Sequence, residues 1–100
     1  MAIVAVSRWQ IDPEQARKLM QESAPLMRQH GAQGASIGVI RTGPQTGQTT
    51  VTVSFATWEA FGLAMAASAT DGPYQALAAP MRQQGQLLDR FLLTMDDLQL

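Results

Sequence analysis

Four short segments rich in apolar and β-branched residues are separated by two long connections and one short turn, and this order constrains the fold more than any other feature. The predicted strands span residues 3–9, 35–42, 50–55 and 86–95. A turn with the sequence GPQTG joins the second strand to the third, so these two strands form a hairpin. The other two connections are each long enough to hold a helix that crosses over the sheet.

The first long connection opens with the sequence DPEQ, which is a strong helix start. Asp12 can cap the helix, and Pro13 suits the first helical position because that position needs no backbone N–H. Apolar residues then recur at helical spacing, and Gly31 is expected to end the helix in a left-handed conformation. Pro25 predicts a kink or a break near residues 21–24.

The second long connection predicts a helix in two pieces. Thr57 caps its start, the pair Asp71-Gly72 interrupts it, and Pro73 restarts it. The whole order is therefore strand, helix, strand, strand, helix, strand. It predicts one ferredoxin-like α+β domain over residues 1–100, with a four-stranded antiparallel sheet and the helices on one face.

The composition excludes several classes of site and partner. The chain has no cysteine and one histidine, which excludes disulfides, thiolate catalysis and the usual metal sites, and we expect neither a metal nor a cofactor. A net charge of −1 with scattered basic residues gives no electrostatic reason to bind nucleic acid or an acidic membrane. No run approaches the roughly 20 apolar residues of a membrane span. We expect a cytoplasmic protein with no nucleic-acid and no membrane partner.

The helices can cover only one face of the sheet, yet the first strand is apolar on both. Ile3 and Trp9 lie on one side of it, and Val4 and Val6 on the other. A large uncovered apolar face marks an interaction site, and symmetric pairs are the commonest oligomers. We therefore expect a homodimer in which two sheets pack through their open faces as a sandwich or barrel.

The third strand alternates hydroxyl groups with apolar groups. Thr50, Thr52 and Ser54 point one way, and the apolar residues between them point the other. The apolar side fits a core. The hydroxyl row fits either the interior of a dimer or plain solvent, and the sequence leaves both open.

Four motifs carry a resemblance that covers nearly the whole chain. They are IDPEQ after the first strand, GAQGAS before the second, VSFATWEAF from the third strand into a helix, and DGPYQALAAPM after that helix. With these motifs the chain resembles the dimeric α+β barrel superfamily, most closely its antibiotic-biosynthesis-monooxygenase-like and NIPSNAP-like members. The resemblance implies a homodimer with a small cavity between sheet and helices or near the dimer barrel.

Members of that superfamily include cofactor-free oxygenases of aromatic polyketides or quinols, haem-degrading enzymes, polyketide cyclases and lactone isomerases. The haem-degrading branch has an iron-binding histidine in the second helix, and here Met65 or Ala66 stands about where it is expected. Haem is therefore not expected. Monooxygenases of the group often use asparagine with tryptophan near the first strand; this chain has Trp9 but no asparagine.

Five residues are candidates for contact with a ligand, and none is assigned as catalytic. Trp9, at a strand end, could stack on a flat ligand, although large aromatics more often pack in cores. Thr52 and Ser54 would line an interior, Arg41 could hold a carboxylate or phenolate, and Tyr74 could donate its hydroxyl. Exposure is the alternative for Arg41, and packing over the sheet is the alternative for Tyr74.

Other polar and aromatic residues have structural interpretations beside functional ones. His30 fits the last turn of the first helix, where it would meet the terminal carbonyls, and an imidazole also suits a general base. Asp89 and Arg90 lie on opposite faces of the fourth strand, and an exposed edge or an ion pair is the ordinary interpretation for such charges. Trp58 and the methionines at helical spacing, including Met65, are expected to pack in the core.

The functional expectation is a metal-free, cofactor-independent, monooxygenase-like enzyme acting on a small apolar or aromatic compound. The alternative is a non-catalytic dimeric module that binds a ligand or has a structural role. A regulatory ligand-binding domain of the ACT type has a similar element order and ranks last, because such domains accompany a larger enzyme. No phosphate loop, nucleophile elbow or metal spacing is present in the sequence.

Overall fold

The computed structural model describes residues 1–99, without the side chains of Tyr74 and Leu77. The elements in chain order are β1 (Ala2–Gln10), α1 (Pro13–Gln29), β2 (Gly34–Val39), β3 (Thr49–Phe55), α2 (Trp58–Thr70), α3 (Gly72–Gln84) and β4 (Gln86–Met95). The strands form one antiparallel sheet in the order β2-β3-β1-β4, and the helices lie on one face. The ferredoxin-like order and the hairpin of β2 and β3 are confirmed.

The helix ends follow the sequence signals. The Asp12 side chain accepts a hydrogen bond from the backbone N–H of Gln15 at 3.1 Å, and the Thr57 hydroxyl does the same for Ala60 at 3.0 Å. Gly31, just beyond α1, has a φ of 99°, which is the left-handed conformation that glycine adopts without strain. Asp12 and Thr57 each satisfy a backbone N–H that the first turn of a helix leaves without an intrahelical partner.

Of the two outcomes predicted near residues 21–24, a kink or a break, the break does not occur. α1 is continuous through Pro25, and α3 is likewise continuous through Pro80. In α1 the buried residues Leu19 and Met27 lie on either side of the proline. Their burial against the rest of the protein holds both halves in one helix, because tertiary packing outweighs the single backbone hydrogen bond that proline removes.

Two groups of buried residues fill the space between the sheet and the helices. The first surrounds Trp9 and Val51 and includes Leu19 of α1. The second surrounds Ile3 and Phe55 at the other end of the sheet. Trp9, Val51, Ile3 and Phe55 share one face of the sheet in the observed register, which we call the helix face.

A β-bulge in the pairing of β1 with β4 changes one predicted face. Arg8 pairs with Asp89, but Trp9 pairs with Leu87, so Leu88 is the extra residue. Strict alternation along residues 86–95 predicts that Leu87 shares a face with Phe91, whereas the bulge places Leu87 beside Trp9 on the helix face. This expectation from the sequence is wrong because a bulge is not visible in an alternation pattern.

The opposite face of the sheet, which we call the open face, is divided into two halves. Along β1 and β4 it is apolar, with Val4, Val6, Phe91, Leu93 and Met95. Along β2 and β3 it is small and polar, with Gly34, Ser36, Gly38, Thr50, Thr52 and Ser54. Phe91, Leu93 and Met95 are 44%, 42% and 55% exposed in the single chain. Within residues 1–99, no helix is long and apolar enough to cross a membrane.

Two side chains predicted to be in the core are exposed. Trp58 is 51% exposed at the first position of α2, where it touches Phe61 edge to face at a centroid distance of 6.2 Å. Met65 is also largely exposed, whereas Met27 and Met81 are buried as predicted. Ala64 is the one residue of α2 that is buried, because the helix packs loosely over the sheet, and this loose packing leaves room for the site described next.

Candidate functional site

A cleft lies between the helix face of the sheet and the helices α2 and α3. It has two adjoining compartments, with volumes of about 660 Å³ and about 350 Å³, and both are partly open to solvent. The larger compartment is bounded by Phe61 and Met65 of α2 and by Leu92 of β4. The smaller one is bounded by Trp9 and Met81 of the first core group and by Met27 of α1. These volumes are in the range of small-molecule sites.

The walls of the cleft are mostly apolar. Val51 and Val53 form its floor and belong to both compartments. The side chains of β4 that face it are poorly covered, since Leu92 is 44% exposed although it lies on the helix face. Apolar walls with few polar groups are typical of a pocket for an apolar or aromatic ligand.

Two arginines supply the charge of the cleft. Arg82 comes from the last turn of α3, and Arg90 comes from β4, where it pairs with Ser7 on the helix face. Both arginines and Ser7 border both compartments, so they lie along the shared boundary. Neither guanidinium makes an ion pair or a side-chain hydrogen bond with another residue of the described part of the chain.

No carboxylate and no imidazole is found among the described residues that line the cleft. Asp89, the neighbour of Arg90, points to the open face and meets Arg8, with an Nη2–Oδ2 distance of 3.4 Å. This is the exposed ion pair that the sequence analysis gave as the ordinary interpretation of Asp89. The polar groups that remain in the cleft beside the arginines are neutral: Ser7, Ser23, Ser68 and Gln75.

The structure does not bring the predicted ligand-binding residues together. Trp9 lines the smaller compartment, with its indole N–H donating to the Ser7 hydroxyl at 2.7 Å. Thr52 and Ser54 lie on the open face, on the other side of the sheet. Arg41 is exposed just beyond the end of β2, and it does not line either compartment of the cleft. The side chain of Tyr74 is outside the described residues.

Arg82 and Arg90 were not among the predicted site residues. Arg90 carries the stronger signal in the sequence, because it interrupts the apolar residues on the face of β4 that the helices should cover. Arg82 gives no such signal, since a basic residue in the last turn of a helix is ordinary. Only the tertiary structure brings both to the same cleft.

His30 lies outside the cleft. It caps the C-terminus of α1, and its Nε2 is 2.8 Å from an Asp71 carboxylate oxygen at the junction of α2 and α3. His30 therefore lies at the end of α1, as its structural interpretation predicted, but its imidazole meets a carboxylate of another element, which the sequence did not indicate. The pair joins the end of α1 to the point where α2 gives way to α3.

Together, the element order, the sheet order and the cleft define a ferredoxin-like α+β protein with a small-molecule-sized space between sheet and helices. No protein-family model matches the chain, and no curated protein matches it. Solved structures do match it.

Among the matches is SnoaB, a cofactor-independent oxygenase from Streptomyces nogalater, with a TM-score of 0.70 and 13% identity over 97% of this chain and 95% of that one. A dimeric ferredoxin-like protein from an uncultured marine organism has a TM-score of 0.65 and 14% identity, covering 96% and 98%. A NIPSNAP family protein from Agrobacterium tumefaciens has a TM-score of 0.62 and 15% identity, covering 97% and 95%. At these identities the likeness establishes the fold, and the predicted resemblance is confirmed at that level.

Proposed function

We propose that the chain is a small homodimeric enzyme that oxygenates an aromatic, largely apolar compound in the cleft without a metal or an organic cofactor. The observation that carries the proposal is the cleft itself: about 660 Å³ of space with apolar walls and two guanidinium groups, on a fold shared with a cofactor-independent oxygenase. The proposed site residues are Arg82, Arg90, Ser7 and Trp9.

Such chemistry makes limited demands on the protein. Oxygen reacts directly with an electron-rich, ionised arene, so the protein has to bind that arene, orient it and exclude water. Val51, Val53 and Phe61 would supply the dry surface, and the guanidinium groups would favour the ionised form.

The homodimer is part of the proposal. A second copy would cover Phe91, Leu93 and Met95, which one chain leaves about half exposed. The likeness to a dimeric ferredoxin-like protein supports it. Of the residues predicted from the sequence, Thr52 and Ser54 belong to this face, and they would contact a partner or the barrel interior rather than a ligand in the cleft.

A non-catalytic binding module is the second candidate function, and one observation favours it. No carboxylate or imidazole among the described lining residues is available to move a proton. A protein that only binds its ligand needs no such group.

The test is the oxidation of anthrone, whose anion is electron-rich. The balanced reaction consumes one O₂ per anthrone, places one oxygen atom at the carbon that loses two hydrogens, and releases the other as water with anthraquinone. Oxygen uptake and anthraquinone absorbance are followed with protein treated with a chelator. We expect Met65→Trp, which fills the larger compartment, to lower the rate at least about tenfold, given how strongly misplacement costs rate.

The matched control is Leu63→Trp on the same helix, because Leu63 is 64% exposed and does not line the cleft. It should leave the rate unchanged. No oxidation of anthrone above the rate in buffer would contradict the enzyme proposal. Oxidation that Met65→Trp leaves unchanged would contradict the placement of the reaction in the cleft.

A further inference from the structure

We propose that the cleft binds its ligand as an anion, through Arg82 and Arg90, and that its ligands are aromatic carboxylates or ionised phenols. This inference rests on the cleft of the proposed function and adds the ligand's charge. The two arginines come from different elements, the last turn of α3 and the middle of β4, and the fold brings both to the boundary between the two compartments.

The charge of the cleft is uncompensated within the described chain. Three other positive groups have partners elsewhere: Arg8 meets Gln48 and Asp89, Arg17 meets Glu14, and the amino terminus of Met1 meets Asp96. The carboxylate nearest in sequence, Asp89, is turned to the opposite face of the sheet. The cleft is therefore positive by two charges, with only neutral polar groups beside them.

The surroundings suit an aromatic anion. Both arginines are exposed in the single chain, and they border apolar surface formed by Val51, Val53 and Ala78. A ligand that covers this surface would displace water from beside the guanidinium groups and so strengthen their contact with an anion. The planar guanidinium groups match the oxygens of a carboxylate or phenolate, and charge-assisted hydrogen bonds are stronger than neutral ones. A neutral arene would gain from the walls but leave both cations without a partner.

A ligand that binds as an anion also explains why the described lining residues of the cleft include no group that could accept a proton. A phenol that ionises in water and binds as its phenolate needs no carboxylate or histidine beside it. Two cations favour the charged form of an acidic ligand and so lower its pKa on binding. The absence of a base from the described lining residues and the presence of two arginines are therefore both consistent with a ligand that binds as an anion.

The test compares two ligands of the same shape, 2-naphthoate and 2-naphthamide, by titration calorimetry at low ionic strength. We expect the wild-type protein to bind the anion about tenfold more tightly than the amide, as for one charge-assisted contact. Arg82→Gln and Arg90→Gln should each weaken naphthoate binding about three- to tenfold while leaving naphthamide binding unchanged. Added salt should weaken only the anion.

The control is Arg28→Gln, because Arg28 is an exposed arginine in the last turn of α1 and does not line the cleft. It should change neither affinity. A second probe, 2-naphthol, tests the phenolate: its absorbance titration should shift to lower pH in excess protein, and Arg90→Gln should reverse the shift. A shift without a preference for naphthoate would restrict the site to phenolates, and the reverse would restrict it to carboxylates.

Equal affinity for naphthoate and naphthamide with no shift of 2-naphthol, or no binding of any probe at millimolar concentration, would overturn the inference. Failure of the anion site can be distinguished from failure of the proposed oxygenation. If Met65→Trp weakens the binding of both naphthoate and naphthamide, but the wild-type protein binds the two equally, the cleft is the site and the anion preference is wrong. If the arginine variants behave as expected but anthrone is not oxidised, the anion site is right and the oxygenation is wrong.

Discussion

Close contacts at single residues decide how the end of α3 meets the sheet. Gly85 lies between α3 and β4, where an added Cβ would stand 2.7 Å from the Cβ of Ile11 and 3.0 Å from the carbonyl oxygen of Gln10. The second of these neighbours is backbone and cannot turn aside. Gly62 in α2 has no such neighbour within 4 Å. The same substitution should therefore have opposite effects at the two positions.

We expect Gly85→Ala to lower the free energy of unfolding by about 1–3 kcal/mol, because overpacking forces the backbone to shift. Gly62→Ala should raise it by about 0.5–1 kcal/mol, since alanine loses less conformational freedom in a helix. Urea denaturation of both variants measures the two effects. Equal and small changes at both positions would show that Gly85 is not in close contact with β1.

Single residues were also where the sequence was least informative about the site. Trp9 was identified because a large aromatic at a strand end is conspicuous. Arg82 was not, because nothing in its neighbourhood along the chain distinguishes it from a solvated helix-end arginine. That Arg82 and Arg90 line the same cleft depends on how α3 packs relative to β4, which is a property of the tertiary structure.

The elements themselves follow closely from local signals in the sequence. The capping residues Asp12 and Thr57, the glycine turn and the interruption at Asp71-Gly72 all act where the pattern predicted. The errors have two physical causes. Packing carried α1 through Pro25, and a β-bulge moved Leu87 to the other face. Neither tertiary packing nor a bulge can be seen in a local pattern.

The contact of His30 with Asp71 links the end of α1 to the junction of α2 and α3, and its strength can be measured. The two side chains are 19% and 24% exposed, so solvent only partly screens them. We expect a double-mutant cycle with His30→Ala and Asp71→Ala to give a coupling free energy of about 1 kcal/mol at neutral pH, the usual size for one hydrogen bond.

A cycle is needed because each substitution also removes other contacts of the same side chain. The control cycle pairs Asp71→Ala with Arg28→Ala, whose side chain makes no ion pair with Asp71, and should give no coupling. A coupling for His30 and Asp71 within about 0.3 kcal/mol of zero would mean that the contact does not hold the helices together.

At the scale of the whole molecule, the two faces of the sheet have different roles. The helix face carries the cleft and its two arginines, while the open face carries an apolar half and a hydroxyl half. The ligand site predicted from the sequence contained both Trp9 and Thr52. These two residues lie on opposite faces of the sheet, so they cannot line the same cavity. The strand alternation already separates them, since Thr52 pairs with Val6, which is three positions from Trp9 along β1, and an odd separation puts two residues on opposite faces.

The apolar half of the open face gives the dimer its expected contact. Leu93→Asp puts a charge at the centre of this half, where Leu93 pairs with Val4. Because Leu93 is 42% exposed in the single chain, the substitution should leave the monomer folded and break the dimer. Leu63→Asp, on the outer side of α2, should leave the dimer intact. Circular dichroism of both variants checks that they are folded.

The most direct test of this division between the faces is the mass of the wild-type protein in solution, by light scattering on a sizing column at micromolar concentration. We expect about twice the chain mass of 10.8 kDa for the wild-type protein and the mass of one chain for Leu93→Asp. A wild-type protein of 10.8 kDa would contradict it. The apolar half of the open face would then be solvent surface, and the homodimer would have no support.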